Sequence, residues 1–253
     1  GGTDNGAGNP INVINGNKYQ REVDLPALPG ELGLEIVRHY NSANRHVLGQ
    51  LGTGWRLSYE TELYRIGQSV QILQADGRRL IFAIDPDNPN QCASSDASQG
   101  WVQILQEPGV RNTRGYIWHW THGPHAGRQL RFDARGKLVR ITAASGAALS
   151  LTRGPRGELV QVTDPQGRRL IINHASRQDA QRSAAPAVFV GITSIDSPLG
   201  RFEYRHGRLD GSQGDADADA DVELTGRQAA NLTQVRLPAP EGSSSTGITR
   251  HYH

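Results

Sequence analysis

Few residues in this chain stand at spacings that chemistry requires. Glu60 and Glu62, two apart in WRLSYETELYRI, would lie roughly 7 Å from each other on one strand face, a candidate carboxylate pair for glycosidic acid/base work. Such pairs usually come from different elements, and the neighbouring arginines give both glutamates a simpler ion-pairing role. The run DADADADVE offers Asp215, Asp217, Asp219 and Asp221 as oxygen ligands for Ca²⁺. An EF-hand loop begun at Asp215 would need Gly at its sixth position and Glu at its twelfth, where the chain has Ala220 and Gly226. A solvated acidic insertion is the simpler reading, and no metal or cofactor is expected. Trp118 and Trp120 alternate with His119 in YIWHW, followed by His122 and His125. Exposed, the two indoles would make a stacking platform for a glycan; packing of the core is the expectation. Cys92, the single cysteine, sits in the polar run DPDNPNQCASSDASQG with no activating neighbour. No G-x-S-x-G, H-E-x-x-H or Gly-rich phosphate loop is present, and the chain holds just two lysines, Lys18 and Lys137. An enzyme is not expected.

The elements that would position these residues are strands. Thirty glycines and thirteen prolines in 253 residues interrupt any helical period, while apolar residues alternate in short runs between turn formers. The fold class expected is all-β, with antiparallel hairpins forming a curved, extended sheet. Residues 1–10 read as a flexible lead-in, and Asn15-Gly16 as the turn of a first hairpin. Leu32, Leu34, Ile36 and Tyr40 share one face of a strand, with Glu35, Val37 and His39 on the other. From Trp55 to Leu63 the alternation is the clearest in the chain, with Trp55, Leu57, Tyr59, Thr61 and Leu63 inward and Glu60 and Glu62 outward. Val70 and Ile72 flank Asp76-Gly77 with Leu80, Phe82 and Ile84, a hairpin signal, and a polar loop follows over 85–100. Two polar insertions stand near 173–187 and 210–228. The closing TRHYH reads as a strand without a following turn, either a fragment's end or a strand that pairs with something further.

Between Gly136 and Leu170 one phrase occurs twice. Gly136, Leu138, Ile141, Gly146 and Leu149 are answered, 21 residues on, by Gly157, Leu159, Val162, Gly167 and Leu170. Glycine at fixed offsets supplies positive φ in tight turns, and pairs such as Val139/Ile141 and Val160/Val162 would bury one face. A two-strand unit of this size cannot enclose a core alone, so successive units must add edge to edge. The expected architectural residues are the turn glycines Gly77, Gly136, Gly157 and Gly167 and the anchors Trp55, Leu57, Tyr59, Leu138 and Leu159.

Charge narrows the class further. A formal net charge of +2 with scattered arginines gives no basic stripe, so nucleic acid is not an expected partner. No apolar run approaches the length of a membrane span, and GGTDNGAGNP has neither the basic nor the apolar part of a signal peptide.

The phrases DARGKLVRIT, RGELVQVTDPQGRRL and, more loosely, SIDSPLGRFEYRHGRL resemble the tyrosine-aspartate (YD) repeats of Rhs proteins, with Phe132-Asp133 and Gly136-Lys137-Leu138 fitting the repeat phrase. GNPINVINGNKYQREVDL, LGLEIVRHYNS, LGTGWRLSYETELY and ADGRRLIF are similar to the domain that opens such repeats. The resemblance implies an opening domain over 11–125 and degenerate repeats over 126–253. It implies part of a hollow β-sheet cocoon around a C-terminal toxin, secreted or delivered by a machine such as type VI secretion. The remaining shell, the toxin and a spike-tip module are then the implied partners. A surface adhesion or carbohydrate-binding module is the alternative.

Overall fold

The computed structural model describes residues 11–12, 16–175, 191–207, 231–239 and 247–252. The lead-in 1–10, most of the insertion near 173–187, and the insertion at 210–228 with Asp215, Asp217, Asp219 and Asp221 lie outside the described residues.

The described chain is antiparallel β-structure with two short 3₁₀ turns and no α-helix. It begins with β1 (Ile11–Asn12), β2 (Asn17–Leu25) and β3 (Ile36–Asn41), then a two-stranded ribbon of β4 (Leu48–Gly49) and β5 (Gly52–Thr53), then β6 (Trp55–Leu57). Strands β1, β2, β3 and β6 form a small sheet in that order. The rest is a meander of fifteen strands, each hydrogen-bonded to its chain neighbours. Its first six are β7 (Glu62–Ile66), β8 (Ser69–Leu73), β9 (Arg79–Ile84), β10 (Gln91–Ala93), β11 (Trp101–Leu105) and β12 (Gly115–His119). There follow β13 (Gln129–Phe132), β14 (Leu138–Thr142), β15 (Ala148–Arg153), β16 (Leu159–Thr163) and β17 (Arg169–His174). The last four are β18 (Ile192–Ser197), β19 (Gly200–Gly207), β20 (Asn231–Arg236) and β21 (Thr249–His251).

Alternate residues are buried along many strands of the meander, and the buried face is largely apolar. That face must be covered, and the sheet covers it partly by curling. In a flat sheet β7 and the β13–β14 turn would be roughly 30 Å apart, at about 4.8 Å per strand. Instead, Leu63 N donates to Gly136 O at 2.9 Å. The segment before β7 supplies the remaining cover: Leu25, Leu34, Ile36, Leu51, Trp55, Leu57 and Tyr59 join the sheet's buried face in one hydrophobic cluster. No helix among the described residues is long and apolar enough to cross a membrane.

Four expectations need correcting. Residues 55–63 are not one strand: the chain turns after Leu57, Glu60 N bonding to Leu57 O at 2.9 Å, so Trp55–Leu57 and Glu62–Ile66 belong to different sheets. Glu60 and Glu62 therefore share no strand face. In β3 the successive residues Ile36, Val37 and Arg38 are all buried, because both faces are covered there. The loop at 85–100 contains β10, which buries Cys92. In the repeat it is Leu138 and Leu159, not Val139 and Val160, that face inward.

Candidate functional site

The repeat is built from one turn used many times. At 74–78, 133–137, 143–147, 154–158 and 164–168 the first residue's N–H bonds to the fifth residue's carbonyl, and the fourth residue's N–H returns to the first carbonyl. The fourth residue is glycine each time, Gly77, Gly136, Gly146, Gly157 and Gly167, with φ between +81° and +93°. This is the three-residue hairpin loop closed by a left-handed glycine. Pro155 and Pro165 preset its second position. The aspartate of Phe132-Asp133 serves the same turn: its Oδ1 accepts from Arg135 N and Lys137 N, both at 2.9 Å. Asp164 repeats this with Gln166 N and Arg168 N, at 3.1 and 2.9 Å.

Each unit joins one alternating strand to one bulged strand. Register shifts occur where Leu138, Leu159, Ile192 and Leu232 enter β14, β16, β18 and β20. Val139, Val160, Thr193 and Thr233 stand in the bulges, so residues three apart, such as Leu159 and Val162, face the core together. The four bulges lie at one end of the sheet. Both insertions leave from that end, in place of the turns that 133–137 and 154–158 make in the earlier units.

The N-terminal segment is tied along that end and the adjoining rim. Gln50 accepts from Leu159 N through Oε1 at 2.9 Å and from Ile192 N through its carbonyl at 2.7 Å. Its neighbour Leu51 O meets His206 Nε2 at 2.9 Å, and Thr53 Oγ1 donates to Asn231 Oδ1 at 2.6 Å. Burial lowers the His206 pKa to about 4, so the ring is neutral and Nε2 donates. On the opposite rim, Arg168 Nη2 donates to Pro29 O at 2.6 Å and Leu34 N to Asp164 Oδ2 at 3.4 Å. A Cβ on Gly136 would collide with the Leu63 carbonyl, so glycine is required there by close approach as well as by φ.

A buried ion pair completes the seam. A bulge between Val23 and Leu25 turns both Asp24 and Leu25 inward. Asp24 meets the fully buried Arg38 in a bidentate pair, Nε–Oδ2 2.6 Å and Nη2–Oδ1 2.9 Å. Tyr204 OH donates to Asp24 Oδ2 at 2.8 Å, and Tyr252 OH lies 2.6 Å from Arg38 Nη2. The guanidinium also stacks on Trp55, 4.6 Å from its centroid. Burial works against the charge, but the hydrogen bonds and charge of Asp24 outweigh it and hold Arg38 above its ordinary pKa. Two residues of the first sheet are thus fixed to β19 and to the residue after β21.

The structure places the other sequence candidates as follows. Trp55, Leu57, Tyr59, Leu138 and Leu159 all lie in the core cluster. Trp118 is 4% exposed, edge-on to Phe82 and Trp120, with Nε1 donating to Gln99 O at 2.8 Å. Trp120 lies half-buried beneath Arg128, 5.2 Å from its centroid. Burial pushes the Cys92 thiol up to about 11, far from a reactive thiolate. Glu62 is bound by Lys137 at 2.6 Å and by Tyr64 and Arg56, whereas Glu60 accepts from Leu57 N at 2.6 Å. Sequence reading missed Asp24, Arg38, Gln50 and Tyr252; the charged residue inside the apolar run EIVRHY was the one visible signal.

Two family models match the chain, and they fall on the two partners of this seam. A model described as RHS Repeat matches residues 132–169, from the end of β13 through four of the shared turns. A model described as a domain of unknown function (DUF6531) matches residues 8–82, the N-terminal segment with the first strands of the meander. No curated protein matches the chain.

Proposed function

The chain is an Rhs/YD-repeat protein, and from that premise we propose that it is a non-enzymatic wall segment of an Rhs shell, which encloses a C-terminal toxin and accompanies its export. The observation that carries the reading is the seam. A repetitive sheet rolls over one apolar face, and a separate N-terminal segment is fastened along its bulged end, as a plug would be. Its work is steric: it keeps cargo in and proteases out. The remaining shell and its toxin are the proposed partners, with a spike-tip module or secretion apparatus, type VI among the possible machines, as the route out of the producing cell. Buried positions of Trp118 and Cys92 favour this reading over a glycan-binding module or a thiol enzyme.

Limited proteolysis of the full-length gene product tests it, with the C-terminal region followed by mass spectrometry. That region should resist cleavage in the parent and become cleavable in Gly136→Val, which forces the seam apart. Gly146→Asn alters the same kind of turn where a side chain meets nothing within 4 Å, and should leave protection intact. A C-terminal region cut equally fast in the parent would remove the enclosure argument.

A further inference from the structure

Where the β13–β14 turn meets β7, a cavity of about 570 Å³ opens beside the seam. Arg56, Arg79 and Lys137 bring three cations to its wall, against Glu60 and Glu62. The carboxylates do not cancel the cations evenly. Glu62 is engaged by Lys137 Nζ at 2.6 Å, by Arg56 Nη2 at 3.4 Å and by the Tyr64 hydroxyl. Despite partial burial, these partners hold its pKa below the usual carboxylate range. Glu60, by contrast, is raised by burial, which weakens its claim on a cation. Arg56 Nη1 is buried and has no hydrogen-bond partner among the described residues. A buried guanidinium N–H without an acceptor is a position that asks for one. Gln50, also on the wall, gives its Oε1 to Leu159 N, which leaves its amide N–H groups as donors. The wall is therefore donor-rich and net positive, with Tyr64 beside the donors.

We propose that this cavity binds a small carboxylate carried on a hydroxylated ring, the chemistry of a uronic acid. The carboxylate accepts from Arg56, planar fork to planar group, with Arg79 contributing charge at the mouth. Ring hydroxyls meet Gln50 and the Glu60 carboxyl, and the half-exposed Tyr64 suits the apolar face of a sugar ring. The volume falls within the range of small-molecule sites.

Titration of the whole chain with glucuronate, read by calorimetry and by tryptophan fluorescence, tests this, with glucose as the uncharged probe. Saturable glucuronate binding is expected, at least about tenfold tighter than glucose. Arg56→Gln should weaken it about tenfold or more, and Arg79→Gln about threefold. Arg79 is exposed and, among the described residues, its side chain hydrogen-bonds that of Gln71 at 2.9 Å, so its variant keeps the fold and decides the matter if Arg56→Gln does not fold. Absence of saturable glucuronate binding, equal affinity for glucose, or binding indifferent to the folded variants would overturn the assignment.

Discussion

Removing Arg38 would leave the buried Asp24 carboxylate with Arg250, 3.6 Å away, as its nearest charged partner among the described residues. Truncating one member of a buried pair typically costs about 3–5 kcal/mol, more than the pair itself contributes. Arg38→Met should therefore lose roughly that much in urea denaturation, and adding Asp24→Asn should recover part of it; strict additivity of the two changes would show that they do not act as a pair. Gly136 and Gly167 separate two costs of a side chain. At Gly167, with φ +84° and nothing within 4 Å, alanine should cost about 1–2 kcal/mol for left-handed backbone alone. At Gly136 the same substitution also strikes the Leu63 carbonyl and should exceed about 4 kcal/mol or prevent folding. His206 makes the seam pH-sensitive. Its folded pKa, lowered by burial to about 4 from 6.5, means that the unfolded chain binds the proton first as pH falls. Stability should be flat above pH 6.5 and decline from there toward pH 4, by about 3 kcal/mol in all from this one group. Glu60 and Glu35, raised by burial, act in the opposite sense above pH 4.5. The diagnostic is thus the difference curve between the parent and His206→Gln, which should lose the 6.5-to-4 slope.

Strands and turns repeat the logic of the residues with a period. Asp133 and Asp164 occupy the same turn position, but Asp133 meets the exposed Arg135 only at 3.9 Å, whereas Asp164 pairs with Arg168 at 2.7 Å and faces Leu34 N across the seam. Asp133→Ala should cost about 1–2 kcal/mol for its lost turn bonds, and Asp164→Ala clearly more, by thermal or urea melts. Equal losses would mean that the rim contacts contribute nothing. The turns were legible in the sequence because glycine at a left-handed position is a local requirement, and so were the β class and the Asp76-Gly77 hairpin. The bulges were written there too, as Leu-x-x-Ile/Val spacings in Leu138/Ile141 and Leu159/Val162, but strict alternation assigned the intervening valine to the core. Trp55–Leu63 misled for a related reason. Its period of two is unbroken, and the turn after Leu57 is set by Glu60 reaching back to Leu57 N, a side-chain contact that periodicity does not register.

Over the whole molecule, contacts divide into a local set and a distant one. Every strand of the meander pairs with its chain neighbours, whereas the seam joins residues as far apart as Glu22 and Arg250, 228 positions, and Arg38 and Tyr252, 214 positions. Closing loops of that size comes after the local hairpins. Arg38→Met should therefore speed unfolding with little change in the folding rate, as stopped-flow chevrons would show; a slowed folding limb would put the seam in the nucleus instead. The distant set was beyond sequence reading because many of its partners are backbone atoms: Gly136 O, Gln50 O, Leu51 O, Pro29 O, and the amides of Leu63, Leu159 and Ile192. Main-chain atoms are the same in every residue but proline. A junction built on them leaves little mark on the alphabet and places little demand on it. Inheritance can rewrite many side chains on both sides while this main-chain part of the joint persists, and an N-terminal segment from one such chain could be exchanged onto the sheet of another, provided the bulges fall in step and Gly136 and the Asp24–Arg38–Tyr204 set are kept.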